Sequence, residues 1–205
     1  MELSRITEKA KGRFLIWYDL VYTLRGGREK RYEMVSRKPV AAPADLSDAA
    51  PDGVVMIVFS RDKSRILLNR EFRPAVNKVV YNFPAGLLLP GEAPEAAAAR
   101  ELWEETGLAL DEAAAVYGRS YGSIGLSCES SLVIQGTADD AAPFGGEDNP
   151  AEEIAPVWVS RADARAILNG GDITARVQMV LAAWAENAFT PQMPAPAPEA
   201  QNSGC

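Results

Sequence analysis

Nine positions between Gly86 and Leu108 stand at fixed spacing, and they limit what this chain can fold into more than any other feature. The run is Gly86, five residues, Glu92, seven residues, then Arg100-Glu101-Leu102-Trp103-Glu104-Glu105-Thr106-Gly107-Leu108. Read as a helix, its second half puts Glu101 and Glu105 on one face, with Glu104 about 60° to the side of Glu101. Three carboxylates then share an arc of roughly 100°. Crowded carboxylates repel and partly protonate unless their charge is offset. A hard dication offsets it, because Mg²⁺ prefers oxygen ligands and accepts a few well-placed carboxylates. The competing reading is a solvated helix with Glu/Arg pairs. That reading suits a lone Glu-Glu pair, but the full pattern arises by chance roughly once in ten million sequences of this size. The residues therefore predict a magnesium or manganese site on one helix.

The flanks are shaped to support such a helix. Residues 82–86 read as a strand end entering a loop, and Pro90-Gly91 is a turn signal. Pro94 suits the first helical turn, where its missing donor is not needed. Residues 96–99 are all alanine, strong helix formers without bulk. Gly107 stands where a helix end wants a left-handed residue, and Gly86 is read as permitting a tight loop. Ala99, Leu102, Trp103 and Thr106 are expected to face away from the acids and pack on a sheet.

Composition excludes several classes of function. The chain of 205 residues is 47% apolar and 24% charged, as in an ordinary globule of one domain with a small addition. It has no apolar run of membrane-spanning length, and its first residues mix both charge signs, unlike a signal peptide. Net charge is −7, which argues against coating nucleic acid. The chain contains no histidine, which removes Ser-His and Cys-His catalysis and leaves base work to carboxylates, lysine, tyrosine or metal-bound hydroxide. Its two cysteines, Cys128 and Cys205, cannot form a disulfide framework, so a cytoplasmic location is expected.

Along the chain, residues 13–24 and 28–37 are apolar-rich runs joined through Gly26-Gly27 and read as a β-hairpin. A Pro/Ala/Asp linker follows to residue 51. Residues 53–60 form a continuous apolar run, typical of a buried central strand. Further strands are expected over 65–72, 79–83, 115–121, 130–136 and 154–159. Ser160 to Asp163 resembles a capping box for a helix ending before Gly170-Gly171, and a last helix is expected over 173–188. The Pro/Ala-rich tail from 190 is expected to be disordered. This order predicts an α/β mixed sheet covered by helices, not a βαβ repeat.

The Gly86 to Leu108 pattern is an unbroken Nudix box, and the chain resembles the Nudix hydrolases over about residues 52–188. The resemblance implies an α/β/α sandwich and Mg²⁺-dependent hydrolysis, with Mn²⁺ as a substitute. The added N-terminal region, residues 1–51, is similar to the β-hairpin subdomain of ADP-ribose and nucleotide-sugar pyrophosphatases, where it often contributes to a homodimer. Within it Trp17 and Tyr18 are candidates to stack on a base or to pack in a core. In such relatives the carbonyl at the position of Ala85 joins Glu101, Glu104 and Glu105 around metal. Arg100 pairs with the box acids, while Glu92 supports them or reaches metal through water. Arg73, in the segment Arg70-Glu71-Phe72-Arg73-Pro74, matches an arginine that contacts substrate phosphate, with Arg70 beside it. Glu129, in a Gly/Ser-rich loop, matches a catalytic glutamate, and Glu104 is the other candidate base.

Two departures bear on substrate: Ile124 stands where ADP-ribose members usually have proline, and Asn82 where they usually have an acid. The expected substrate is a small nucleoside diphosphate derivative linked to a sugar. The rivals are a nucleoside triphosphate or dinucleoside polyphosphate hydrolase, and a sensor that binds without cutting. A pure binder has no need of three mutually repelling acids. Neither nucleic acid nor membrane is an expected partner.

Overall fold

In the computed structural model, residues 1–47, 49–146 and 153–186 are described. The apolar run becomes β4 (Gly53–Ser60), buried at all eight positions. It pairs in parallel with β9 (Ser130–Ala138), which pairs antiparallel with β8 (Glu112–Tyr121). On the other side stands β5 (Arg65–Arg73), which carries β10 (Ile154–Ser160) on its outer edge. The sheet is therefore mixed, as expected from the order of elements.

The feature that creates room for a site is a split in this sheet. Strands β4 and β5 are paired only at Phe59 and Ile66. Beyond that point they diverge. The freed edge of β5 takes β6 (Lys78–Asn82), and the freed edge of β4 takes β7 (Ala85–Leu87). Backbone groups that would otherwise be orphaned by the split are thus satisfied.

Helix α2 (Pro94–Thr106) covers one face. There Val54, Met56, Val58 and Leu67 meet Ala97, Ala98, Leu102 and Leu108. Helices α3 (Arg161–Gly170) and α4 (Ala175–Ala185) cover the other, where Phe59, Ile66 and Leu68 meet Val177, Leu181 and Trp184. The result is the expected α/β/α sandwich. Ser160 does cap α3 in a capping box with Asp163. The last helix starts at Ala175 rather than 173, because Ile173 bridges to Tyr81 as an extra strand-like residue at the edge of β6. The tail predicted to be disordered lies outside the described residues.

The N-terminal region holds the expected hairpin, β2 (Ile16–Thr23) and β3 (Glu29–Ser36), with Gly26 and Gly27 at positive φ in the turn. It also holds a third strand, β1 (Glu2–Lys11), paired antiparallel with β2. The sequence concealed β1 because six of its ten residues are charged or polar and exposed to solvent, leaving no period-two apolar pattern. Ile16, Tyr18, Leu20, Met34 and Val40 form a core against which Cys128 and Leu46, from the short helix α1 (Ala44–Ser47), pack. Tyr18 is 2% exposed and its hydroxyl accepts from the Val40 amide at 3.0 Å, so its role is core packing. Phe14, Leu15 and Trp17 stay exposed together at the β1–β2 turn.

Candidate active site

Helix α2 is fixed at both ends by its sequence. Pro94 opens it, and Gly107 closes it in the left-handed conformation at φ 72°, with its amide bonded to the Trp103 carbonyl at 2.8 Å. A Cβ at Gly107 would also meet the backbone of Gly145. The buried stripe is Ala97, Ala98, Leu102 and Thr106. Trp103 and Ala99, expected on that stripe, are instead exposed. A half-buried helix presents little more than a third of its circumference to a sheet, and these two residues lie beyond it.

On the flank of the buried stripe the acids gather around one guanidinium. Arg100 donates from Nε and Nη2 to the two oxygens of Glu92, each at 2.9 Å. Its Nη1 donates to Glu101 at 2.8 Å and to Glu104 at 3.2 Å, and Nη2 reaches the Leu87 carbonyl at 3.0 Å. Glu92 also accepts from the Leu89 amide at 2.9 Å. The Arg100 hydrogen bonds, with that amide, hold the Glu92 carboxyl down to about 2. Glu92 is thus committed to holding Arg100 and the loop. Gly86 has a different role from the one expected: it sits in β7, and a Cβ there would overlap the Glu101 carboxylate. It supplies space for an acid, not a turn.

Glu105 points the other way, toward the split in the sheet. It accepts from Asn69 Nδ2 at 2.8 Å and from the Ala85 amide at 3.3 Å. Burial, with Glu101 and Glu71 nearby, outweighs these bonds and pushes its carboxyl up to about 8. The other oxygen-bearing end of Asn69 is buried and has no hydrogen-bond partner. Among the described residues no three acids are gathered around one point. Arg100 draws Glu101 and Glu104 toward itself while Asn69 holds Glu105. The donor chemistry nevertheless fits a hard dication: every candidate is an oxygen, one acid is kept from ionising by its neighbours and its burial, and a buried acceptor beside it lacks a partner.

Four residues of this face escaped the sequence reading: Asn69, Glu71, Thr174 and Arg176. Asn69 and Glu71 stand two and four residues after Leu67 on β5 and so share its α2 face. Asn82 stands opposite Asn69 in register and donates to Glu71 Oε1 at 2.6 Å. Its own oxygen accepts from Thr174 Oγ1 at 3.1 Å and from Arg176 Nε at 3.0 Å. Glu71 therefore supplies a carboxylate next to the position where Asn82 replaces the expected acid. A legible signal existed for two of the four: Asn69 and Glu71 fall in step with the apolar Leu67 on β5. Nothing local marked Thr174 or Arg176.

The arginines of β5 separate. Arg73 shares the face of Glu71 and stands 3.7 Å from it. Arg70 lies on the opposite face, its guanidinium over the Tyr81 ring at 6.0 Å. Glu129 sits at the start of β9. Gly53 pairs with both Leu87 and Ser131, which puts the β9 entrance two strand spacings, roughly 10 Å, from the box strand. Glu129 meets Arg37 at 3.4 Å, and both are close to half exposed.

Residues 50–177 match the NUDIX domain. The chain is 30% identical over 111 residues to an ADP-ribose pyrophosphatase of Saccharomyces cerevisiae, covering 52% of this chain and 46% of that protein. It is 52% identical over 42 residues to an ADP-sugar pyrophosphatase of Mus musculus, covering 20% of this chain and 19% of the relative. The matches thus span less than half the length of these curated relatives. A crystal structure of an ADP compounds hydrolase superposes with a TM-score of 0.69 at 17% identity, over 92% of this chain and 96% of the other, and shares the fold.

The raised Glu105 carboxyl sets a pH dependence. Its folded value of about 8 exceeds the ordinary 4.5, so between those values the folded chain holds a proton that the unfolded chain has lost. Stability of the metal-free protein must therefore fall as pH rises through that window. Glu105→Gln removes the titration while keeping an oxygen for Asn69. Urea unfolding in chelator should show variant and wild type alike near pH 4.5, and the variant more stable at pH 8 by on the order of 2 kcal/mol. Equal stability at both pH values would mean that the carboxyl is not under electrostatic pressure.

Proposed function

This chain belongs to the Nudix family, and on that basis we propose that it is a pyrophosphatase cleaving the diphosphate of a nucleoside diphosphate linked to a sugar, ADP-ribose or another nucleotide sugar. The observation that carries the reading is the acid face of α2, clamped by Arg100 and facing Asn69, Glu71 and Arg73 on β5. Glu101, Glu104, Glu105 and the Ala85 carbonyl are the donors that would hold Mg²⁺ or Mn²⁺, and a bound dication would neutralise the diphosphate and stabilise the departing phosphate.

The protein's own groups do the rest. Arg100 fixes the rotamers of Glu92, Glu101 and Glu104, so that their charge is in place before substrate arrives. Arg73 meets a substrate phosphate. Its present partner, Glu71, is at the outer limit of an ion pair, so redirecting the guanidinium costs little. Glu129 takes the proton of the attacking water. Its half-exposed pairing with Arg37 is of the weak kind, and the surrounding Gly/Ser-rich loop allows it to move. The water oxygen bonds to one phosphorus and the bridging oxygen leaves with the other. A nucleoside monophosphate and a sugar phosphate result. No described helix is long and apolar enough to cross a membrane, and we place the protein in the cytoplasm.

Phosphomonoester release should be seen with ADP-ribose or ADP-, GDP- or UDP-sugars in Mg²⁺, exceed that from ATP or diadenosine tetraphosphate, and stop in excess chelator. Glu129→Gln should lower kcat by about 10²–10⁴ with little change in KM. Wild-type turnover in that variant would move the base role to Glu104, and hydrolysis undiminished by chelator would sink the mechanism.

The exposed Phe14, Leu15 and Trp17 form an apolar patch at one turn of the N-terminal sheet, and we propose that it contributes to a homodimer. Light scattering should give twice the chain mass, and the double substitution Phe14→Ser, Trp17→Ser should give a monomer. A monomeric wild type at micromolar concentration would refute the dimer.

A further inference from the structure

Arg176 stands in the first turn of α4, on the far side of β6 from α2, yet its guanidinium is tied to the acid face. Nε donates to Asn82 Oδ1 at 3.0 Å, and Asn82 in turn donates to Glu71 at 2.6 Å. Thr174 donates to the same Asn82 oxygen, so its hydroxyl braces this contact and does not cap α4. The charges that act on Arg176 are Glu71, Arg73, Glu105 and Glu129, which are the groups of the site. Burial is the largest influence on it. Even so, among the described residues it makes no ion pair within 4.0 Å, and its two terminal nitrogens have no acceptor. Arg176 is part-buried and its terminal nitrogens are not sealed from solvent, so an anion entering the site can reach them and bind them with charge-assisted hydrogen bonds.

The other arginines around the opening are already engaged. Arg100 is saturated by Glu92, Glu101 and Glu104. Arg37 meets Glu129, Arg73 is held only loosely by Glu71 and is already assigned to a phosphate, and Arg70 is on the other face of the strand. The free ends of Arg176 form a planar fork, whose geometry matches two oxygens of a phosphate. The Arg176 fork is therefore short of an anionic acceptor.

We propose that Arg176 binds a phosphate of the substrate's diphosphate from the α4 side, opposite the acids of α2, with Asn82 and Thr174 holding the guanidinium in line. This rests on the reading that a diphosphate ester is the ligand of the site. It makes α4 part of the binding machinery, whereas the expectation from sequence lay with the box, β5 and the Glu129 loop.

The test is calorimetric binding of methylenediphosphonate, which has the diphosphate oxygens but cannot be hydrolysed, to the full chain in Mg²⁺. Arg176→Met should weaken binding at least tenfold, and Arg176→Lys by a smaller factor, because the amine keeps charge without the fork. Mn²⁺ affinity without diphosphonate, read by electron paramagnetic resonance, should not fall, since removing a cation near Glu105 favours a metal. Binding within twofold of wild type in Arg176→Met overturns the proposal. So does a fall in Mn²⁺ affinity equal to the loss of diphosphonate, which would make Arg176 a positioning residue for the acids. If Arg176→Met does not fold, Arg176→Gln replaces it, read by the same thresholds at a melting midpoint near that of wild type. Binding needs no turnover, so the two readings fail separately. Nucleotide sugars cut normally with Arg176 irrelevant to diphosphonate would sink only this inference, and no turnover of any nucleotide sugar would sink only the proposed activity.

Discussion

One guanidinium holds the site together. Arg100 binds both oxygens of Glu92, reaches Glu101 and Glu104, and ties the helix to the Leu87 carbonyl. Without it, acids one and four residues away would repel one another and the loop before the helix would lose its anchor. The clamp is incomplete by construction, because Arg100 cannot reach Glu105 on the inner side of the helix. Glu105 is left to Asn69 and one backbone amide, and burial raises its carboxyl to about 8. The site thus stores an uncompensated carboxyl at its centre, with neutralised ones around it. That is a poor arrangement for stability alone and a suitable one for receiving a cation.

The sheet makes this possible through its split. Had β4 and β5 stayed paired past Phe59 and Ile66, the space under α2 would be filled by apolar side chains. Their divergence admits β6 and β7, which bring Asn82 and Ala85 beneath the helix from two sides. The same divergence lets the 172–174 segment pair with Tyr81 and deliver Thr174 and Arg176 to the acid face. Packing elsewhere is conventional: two apolar layers, one under α2 and one under α3 and α4.

Much of this was legible in the sequence, for reasons that can be named. The central strand was visible because burial on both faces demands an unbroken apolar run. The α2 acids were visible because helical spacing is local. Gly107 was read correctly because a left-handed C-cap is a local need, while Gly86 was misread because its constraint is the Glu101 carboxylate fifteen residues away. Trp103 was misplaced because periodicity alone does not say how wide a stripe the sheet will cover. Strand β1 was missed because an edge strand can be almost wholly polar. Arg176 and Thr174 were illegible because their roles exist only once the 172–174 segment has joined the edge of the sheet. Arg73 is singled out by the resemblance, and the alternation of β5 separates it from Arg70, which lies on the opposite face.

If the acids of α2 form the proposed cation site, its inner carboxyl stays protonated until the cation arrives. Proton release on Mn²⁺ binding tests it most directly. Titration calorimetry of the metal-free chain at pH 7, repeated in buffers of different ionisation enthalpy, counts the protons displaced. A Glu105 carboxyl near 8 predicts release of about one proton per chain in wild type and almost none in Glu105→Gln. Absence of Mn²⁺ binding, or binding with the same proton count in both chains, would contradict the account.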